Sequence, residues 1–168
     1  MFSTVLNNDT TLSRNFQNSV YPMVCFNFGP SVTTFEHQDQ KNLPNGWCAV
    51  TALGDFDASK GGHLIFRQLG LAVRFPSGST VLFPSATLLH GNTSIQQGET
   101  RSSITQYAAG GLFRWVDYEC MICDDLKKKD PVRYRELERT GRQRWTEALK
   151  RYSTVESLHS DRMALKRS

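Results

Sequence analysis

No stretch of this chain is long and apolar enough to cross a bilayer. Its first residues, Met1-Phe2-Ser3-Thr4-Val5-Leu6-Asn7-Asn8, lack the basic start and apolar run of a secretory signal. The expectation is an intracellular protein. Cysteine is scarce: Cys25, Cys48, Cys120 and Cys123 do not look like a disulfide framework in 168 residues. Cys120-Met121-Ile122-Cys123 has the spacing of half a zinc site, but no second Cys or His pair stands nearby, so buried or incidental thiols are expected. Internal repeats and low-complexity tracts are missing too. One domain is the natural expectation for this length, with enough chain for a core and little left over.

A basic surplus is absent from most of the sequence. The net charge is +4, yet residues 1–126 carry seven Lys/Arg against ten Asp/Glu, a balance of −3. Residues 127–168 carry thirteen against six, a balance of +7. A basic segment of this kind suits a polyanionic partner such as nucleic acid. A solvated helix with many surface charges is the alternative reading.

Three textures follow one another along the chain. Residues 1–20 are polar and aperiodic, and are expected to form a lead-in. Residues 21–119 contain short apolar or alternating runs, at 24–28, 48–53, 62–66, 71–75, 80–83, 88–89 and 103–107, which predict strands. Turn signals separate them: Gly29-Pro30, Pro44-Asn45-Gly46, Gly61-Gly62, Pro76-Ser77-Gly78 and Gly91-Asn92. No long helical pattern lies between these runs, which excludes a parallel α/β architecture and predicts a mainly β sandwich or barrel. Residues 120–168 are expected to be a basic helical tail. Asp130-Pro131 supplies an N-cap and a first-turn proline. Val132, Tyr134, Leu137, Trp145, Leu149 and Tyr152 then make a partial apolar stripe, interrupted by Gly141, so one bent helix or two short ones are both open.

The chemistry is concentrated in His37-Gln38-Asp39, His90 and Arg101-Ser102-Ser103. A His-x-Asp pair puts both side chains on one face of an extended segment, because side chains alternate with period two. A later histidine completes two imidazoles and one carboxylate, a set that holds Fe(II) on one side and leaves the opposite positions open. The candidate metal ligands are therefore His37, Asp39 and His90. Arg101, eleven residues after His90, stands where an oxygenase of this type keeps the cation that pairs with the distal carboxylate of its co-substrate 2-oxoglutarate; a planar bidentate cation favours Arg over Lys there. Ser103, two residues on, is placed to donate a hydroxyl to the same carboxylate. His63 lies between two candidate core strands and is read as structural; His159 falls in the charged tail and is expected to be exposed.

At these residues the chain resembles a known family. Phe26-Asn27-Phe28-Gly29-Pro30, His37-Gln38-Asp39, Asn42-Leu43-Pro44-Asn45-Gly46-Trp47-Cys48, Thr51-Ala52-Leu53-Gly54-Asp55-Phe56-Asp57, Gly61-Gly62-His63-Leu64 and Gln106-Tyr107-Ala108-Ala109-Gly110-Gly111-Leu112-Phe113-Arg114-Trp115-Val116 look like the basidiomycete, transposon-associated branch of the TET/JBP oxygenases. The resemblance covers roughly residues 14–118. It implies a double-stranded β-helix that uses Fe(II) and 2-oxoglutarate to oxidise methylated bases in DNA, 5-methylcytosine first and N6-methyladenine as a further substrate. Its site of action would then be nuclear. It matches His37, Asp39 and His90 to the iron ligands and Arg101 with Ser103 to the 2-oxoglutarate anchor. Asn42 falls where TET-like enzymes place a polar contact to the flipped base, with loop capping beside Pro44 as the alternative. Two departures stand out. The 5-methylcytosine oxidases have a base-contacting His eight residues beyond the anchoring Arg, where this chain has Ala109. About twenty residues precede Tyr21, where the family usually has a longer supporting segment. The competing expectations are an oxygenase acting on RNA, protein or a small molecule, and a shortened, inactive remnant.

Overall fold

Alternation of inward and outward residues organises the β region. The structure, a computed structural model, describes Leu6 and residues 11–165, without the side chains of Arg142 and Trp145. The expected lead-in at 1–20 therefore falls partly outside the described residues; within 11–20 the backbone makes only turns and bends. The chain divides into two units, Met1–Cys120 and Met121–Ser168.

Seven strands build the first unit: β1 (Met23–Asn27), β2 (Cys48–Leu53), β3 (Leu64–Phe66), β4 (Leu71–Val73), β5 (Thr80–Phe83), β6 (Gly91–Asn92) and β7 (Ser102–Tyr107). They form a four-stranded sheet in the order β1-β7-β2-β5 and a three-stranded sheet in the order β4-β3-β6, with every neighbour antiparallel. The small sheet continues on its open side. His37 and His90 exchange backbone hydrogen bonds at 2.9 and 3.0 Å, and Asn92 N–H donates to the Thr34 carbonyl at 3.0 Å. The segment from Thr34 to His37 thus occupies a fourth strand position beside β6. Two four-membered antiparallel layers in this order make a double-stranded β-helix, as the sequence predicts.

The layers enclose Cys48 and Ala52 of β2, Leu64 and Phe66 of β3, Phe75, and Phe83 of β5. Inward residues four apart on β2 and two apart on β3 reflect the period of a half-buried strand. Phe66 meets Phe83 edge-on with ring centroids 5.1 Å apart, and each such buried ring contributes about 1.5–3 kcal/mol. The run at 88–89 is not a strand. Strand pairing starts instead at His90, because close approach to Thr34 and β3 decides it, not apolar content. A Cβ on Gly91 would lie 2.9 Å from the Thr34 carbonyl oxygen.

Helix α1 (Gly110–Asp117) follows β7 and is a feature the apolar pattern does not announce, since it is short and opens on two glycines. The second unit holds α2 (Cys123–Lys129), α3 (Pro131–Leu149) and α4 (Leu158–Leu165). Asp130 caps α3 by accepting from the Arg133 N–H at 2.9 Å, with Pro131 in the first turn. The helix runs unbroken through Gly141, whose propensity cost of about 1 kcal/mol versus alanine is not enough to end it. The expected stripe is only partly inward: Leu137 is buried, whereas Val132 and Leu149 are exposed, and the Trp145 side chain lies outside the described residues. All four cysteines are free.

Candidate metal and co-substrate site

The His37–His90 backbone pairing brings the two imidazoles together from residues 53 apart in the sequence. Their ring centroids are 4.4 Å apart at an interplanar angle of 47°. His37 Nδ1 lies 2.9 Å from the Phe35 carbonyl, and His90 Nδ1 lies 2.8 Å from the Leu88 carbonyl. A carbonyl oxygen only accepts, so each Nδ1 carries the hydrogen and each Nε2 keeps its lone pair. That tautomer is the one a metal needs. His37 Nε2 lies 3.4 Å from Asp39 Oδ1, and His90 Nε2 lies 4.0 Å from Asp39 Oδ2. One ligand atom from each of the three lies within 4.8 Å of the others, and they are the only such group of His, Cys, Asp and Glu among the described residues.

Burial grades across the trio. His90 is 9% exposed at its side chain, Asp39 30% and His37 41%. Burial is the largest influence on His90 and lowers its pKa, with the nearby His37 acting in the same direction. The neutral, coordinating form is therefore favoured. Phe83 closes one side, edge-on to His90 at 4.7 Å, and the other side faces an open cavity of about 670 Å³.

Strand β7 supplies the rest of that cavity. Arg101, Ser103, Thr105 and Tyr107 recur with period two and all line it, as do Cys25 and Asn27 of β1. Arg101 is 3% exposed. Its Nη1 donates to the Val32 carbonyl at 3.0 Å, and its Nε is buried without a hydrogen-bond partner, alone in this respect among the described buried side-chain atoms. Phe56 lies 6.0 Å from the guanidinium carbon. Burial pulls the Arg101 pKa down from its ordinary value, yet a guanidinium stays charged in proteins. A desolvated cation with an unmatched donor calls for an anion. Ser103 adds a hydroxyl beside it. Asn27 Nδ2 donates to Ser103 Oγ at 3.1 Å, which leaves the serine hydrogen free to donate onward.

The residues present therefore fit Fe(II), which His37, Asp39 and His90 would hold, and a dicarboxylate co-substrate such as 2-oxoglutarate, which would pair with Arg101 and Ser103. All six residues singled out in the sequence, Asn42 included, line this one cavity. His63 stands outside the trio, with its Nδ1 3.4 Å from Thr93 Oγ, and His159 is exposed on α4. Sequence reasoning missed Asn27 and Ser85. Asn27 shares the inward phase of Cys25 on β1, a signal the strand pattern carried; Ser85 looked like part of a turn.

Among the solved structures that resemble this chain are two of different kinds. NgTET1 in complex with 5mC DNA is 19% identical over 65% of this chain, with a TM-score of 0.49; the chain spans 43% of that protein's length. The collagen prolyl hydroxylase vCPH from Paramecium Bursaria Chlorella virus-1, in its 2OG complex, is 16% identical over 64% of this chain and 69% of its own, with a TM-score of 0.37. No family model and no curated protein matches the sequence. The fold is a double-stranded β-helix whose cavity joins the His-Asp-His set to a buried arginine.

Proposed function

We propose that this chain is a dioxygenase that oxidises methylated bases in DNA. The observation that carries the reading is the single cavity that joins Arg101, the His37-Asp39-His90 set and, beyond them, Lys41, Asn42 and Ala109. One end fits the co-substrate, and the other leaves room for a second molecule beside the metal ligands. The phrases shared with the TET/JBP oxygenases make a methylated base the favoured occupant. To reach the cavity, the base would have to leave the duplex stack. Bound iron with 2-oxoglutarate supplies the oxidising power: one oxygen atom of O₂ enters a methyl C–H bond, and the other leaves in succinate as CO₂ is lost. The chain's own residues orient the co-substrate through Arg101 and Ser103 and exclude water with Phe83 and Leu64. Ala109 lines the wall at the position where the 5-methylcytosine oxidases have a histidine, so N6-methyladenine stands beside 5-methylcytosine as a candidate base.

Nucleoside mass spectrometry tests this directly. DNA carrying 5-methylcytosine and N6-methyladenine, incubated with the protein, Fe(II) and 2-oxoglutarate, should yield an oxidised or demethylated base, and the His37→Ala variant should yield none. Unchanged bases in both would turn the reading toward another substrate or an inactive remnant.

The second unit is the part suited to phosphates. Arg135 and Arg139 sit four apart on α3, both exposed, so they share one helical face. If they contact DNA, Arg135→Gln with Arg139→Gln weakens binding and makes the log–log salt dependence shallower by about 2. Fluorescence anisotropy across a salt series reads that slope; an unchanged slope removes this face from the interface. On this reading the protein acts in the nucleus.

A further inference from the structure

A line of polar side chains runs from the core to the ligand carboxylate. Ser85 is 1% exposed. Its Oγ accepts from Asn42 Nδ2 at 3.1 Å. The same nitrogen donates to Asp39 Oδ2 at 3.2 Å. Since a carboxylate only accepts, the amide atom facing Asp39 has to be nitrogen, and both amide hydrogens are engaged. The backbone fixes the same three residues: the Asp39 N–H donates to the Ser85 carbonyl at 3.0 Å, and the Asn42 N–H donates to the Asp39 carbonyl at 2.8 Å. Asn42 is further tied by its bridge to Ala109.

We infer that Asn42 and Ser85 form a clamp on Asp39, holding Oδ2 so that Oδ1, the oxygen 3.4 Å from His37 Nε2, is the one presented to a metal. Asn42 is then a positioning residue for the carboxylate and does not donate to a flipped base. Ser85 matters because it holds the amide in the orientation that faces Asp39. The inference rests on reading His37, Asp39 and His90 as metal ligands, but it is independent of any nucleic-acid substrate.

The test is a Co(II) titration of the metal-free full chain, read by calorimetry and by the visible absorption spectrum, which reports ligand number and geometry. Asn42→Ala and Ser85→Ala should each weaken Co(II) binding by about 10–100-fold, the range for partners that orient a metal ligand, and should alter the bound spectrum. The metal-free unfolding midpoint, measured alongside, shows that each variant is folded. A folded Asn42→Ala protein with wild-type affinity and spectrum overturns the clamp. If Asn42→Ala does not fold, Ser85→Ala decides by the same criteria. Absence of Co(II) binding by the wild-type chain overturns the ligand reading itself, a result distinct from failure of the clamp alone.

Discussion

Replacing Arg101 by methionine should raise the 2-oxoglutarate concentration needed for half-maximal turnover by about two to three orders of magnitude. The side chain is 3% exposed and its Nε has no partner within the protein, so its fork is available to a carboxylate. Truncating one partner of a buried, hydrogen-bonded charge pair costs about 2–5 kcal/mol, and each 1.36 kcal/mol is tenfold. The same substitution should leave the metal-free protein as stable as before, or more so. Without co-substrate the guanidinium is a buried cation facing one carbonyl, and an apolar side chain of similar volume removes that desolvation cost. Opposite signs for stability and co-substrate affinity mark a binding residue. Denaturant unfolding of the metal-free variant and a 2-oxoglutarate titration of turnover give the two numbers. A stability loss of several kcal/mol would instead make Arg101 a structural strut for the Val32 loop.

The contrast between Arg101 and its supporting residues shows what a sequence can carry. Period-two spacing fixes that Arg101 and Ser103 share a face, and that His37 and Asp39 do, because strand geometry is local. A mainly β sandwich or barrel was legible for the same reason, in short alternating runs with turn signals; the double-stranded β-helix was what the family resemblance implied. What ties distant segments together is not local. Asn27 reaches Ser103 across 76 residues, and Asn42 reaches Ser85 across 43. Strand phase gives the face of Asn27 but not its partner, and nothing in Pro84-Ser85 distinguishes that serine from an ordinary turn residue. Asn42 was visible as a position, yet its side-chain partners, Asp39 and Ser85, were not, and those partners are what the proposed support of the carboxylate rests on. Strand β6 was misplaced onto Leu88 and Leu89 because apolar content outweighed the pairing of His90 with His37, which only the folded sheet displays.

Gly54→Ala should be among the most damaging single substitutions in the β unit, although the residue touches neither ligand set nor cavity. Its φ of +118° is in a region that side chains rarely adopt. A Cβ there would collide with the Thr100 carbonyl oxygen and lie 2.9 Å from Arg101 Cα. Both neighbours are backbone and cannot rotate away. Strain of about 1–3 kcal/mol from the dihedral and about 1–3 kcal/mol from overpacking together give roughly 2–6 kcal/mol, against a total stability of about 5–15 kcal/mol. Gly70→Ala is the matching control. Gly70 also has a positive φ, +63°, but a Cβ there meets nothing within 4 Å, so only the dihedral strain of about 1 kcal/mol remains. Urea unfolding of both variants separates the effects. Equal losses would show that backbone conformation alone governs the β2–β7 corner. A Gly54 loss several times larger would show that close packing of Gly54 on Thr100 and Arg101 holds the corner. In that case the folded fraction of Gly54→Ala should also bind 2-oxoglutarate more weakly, because the displaced backbone is the one from which the Arg101 guanidinium projects.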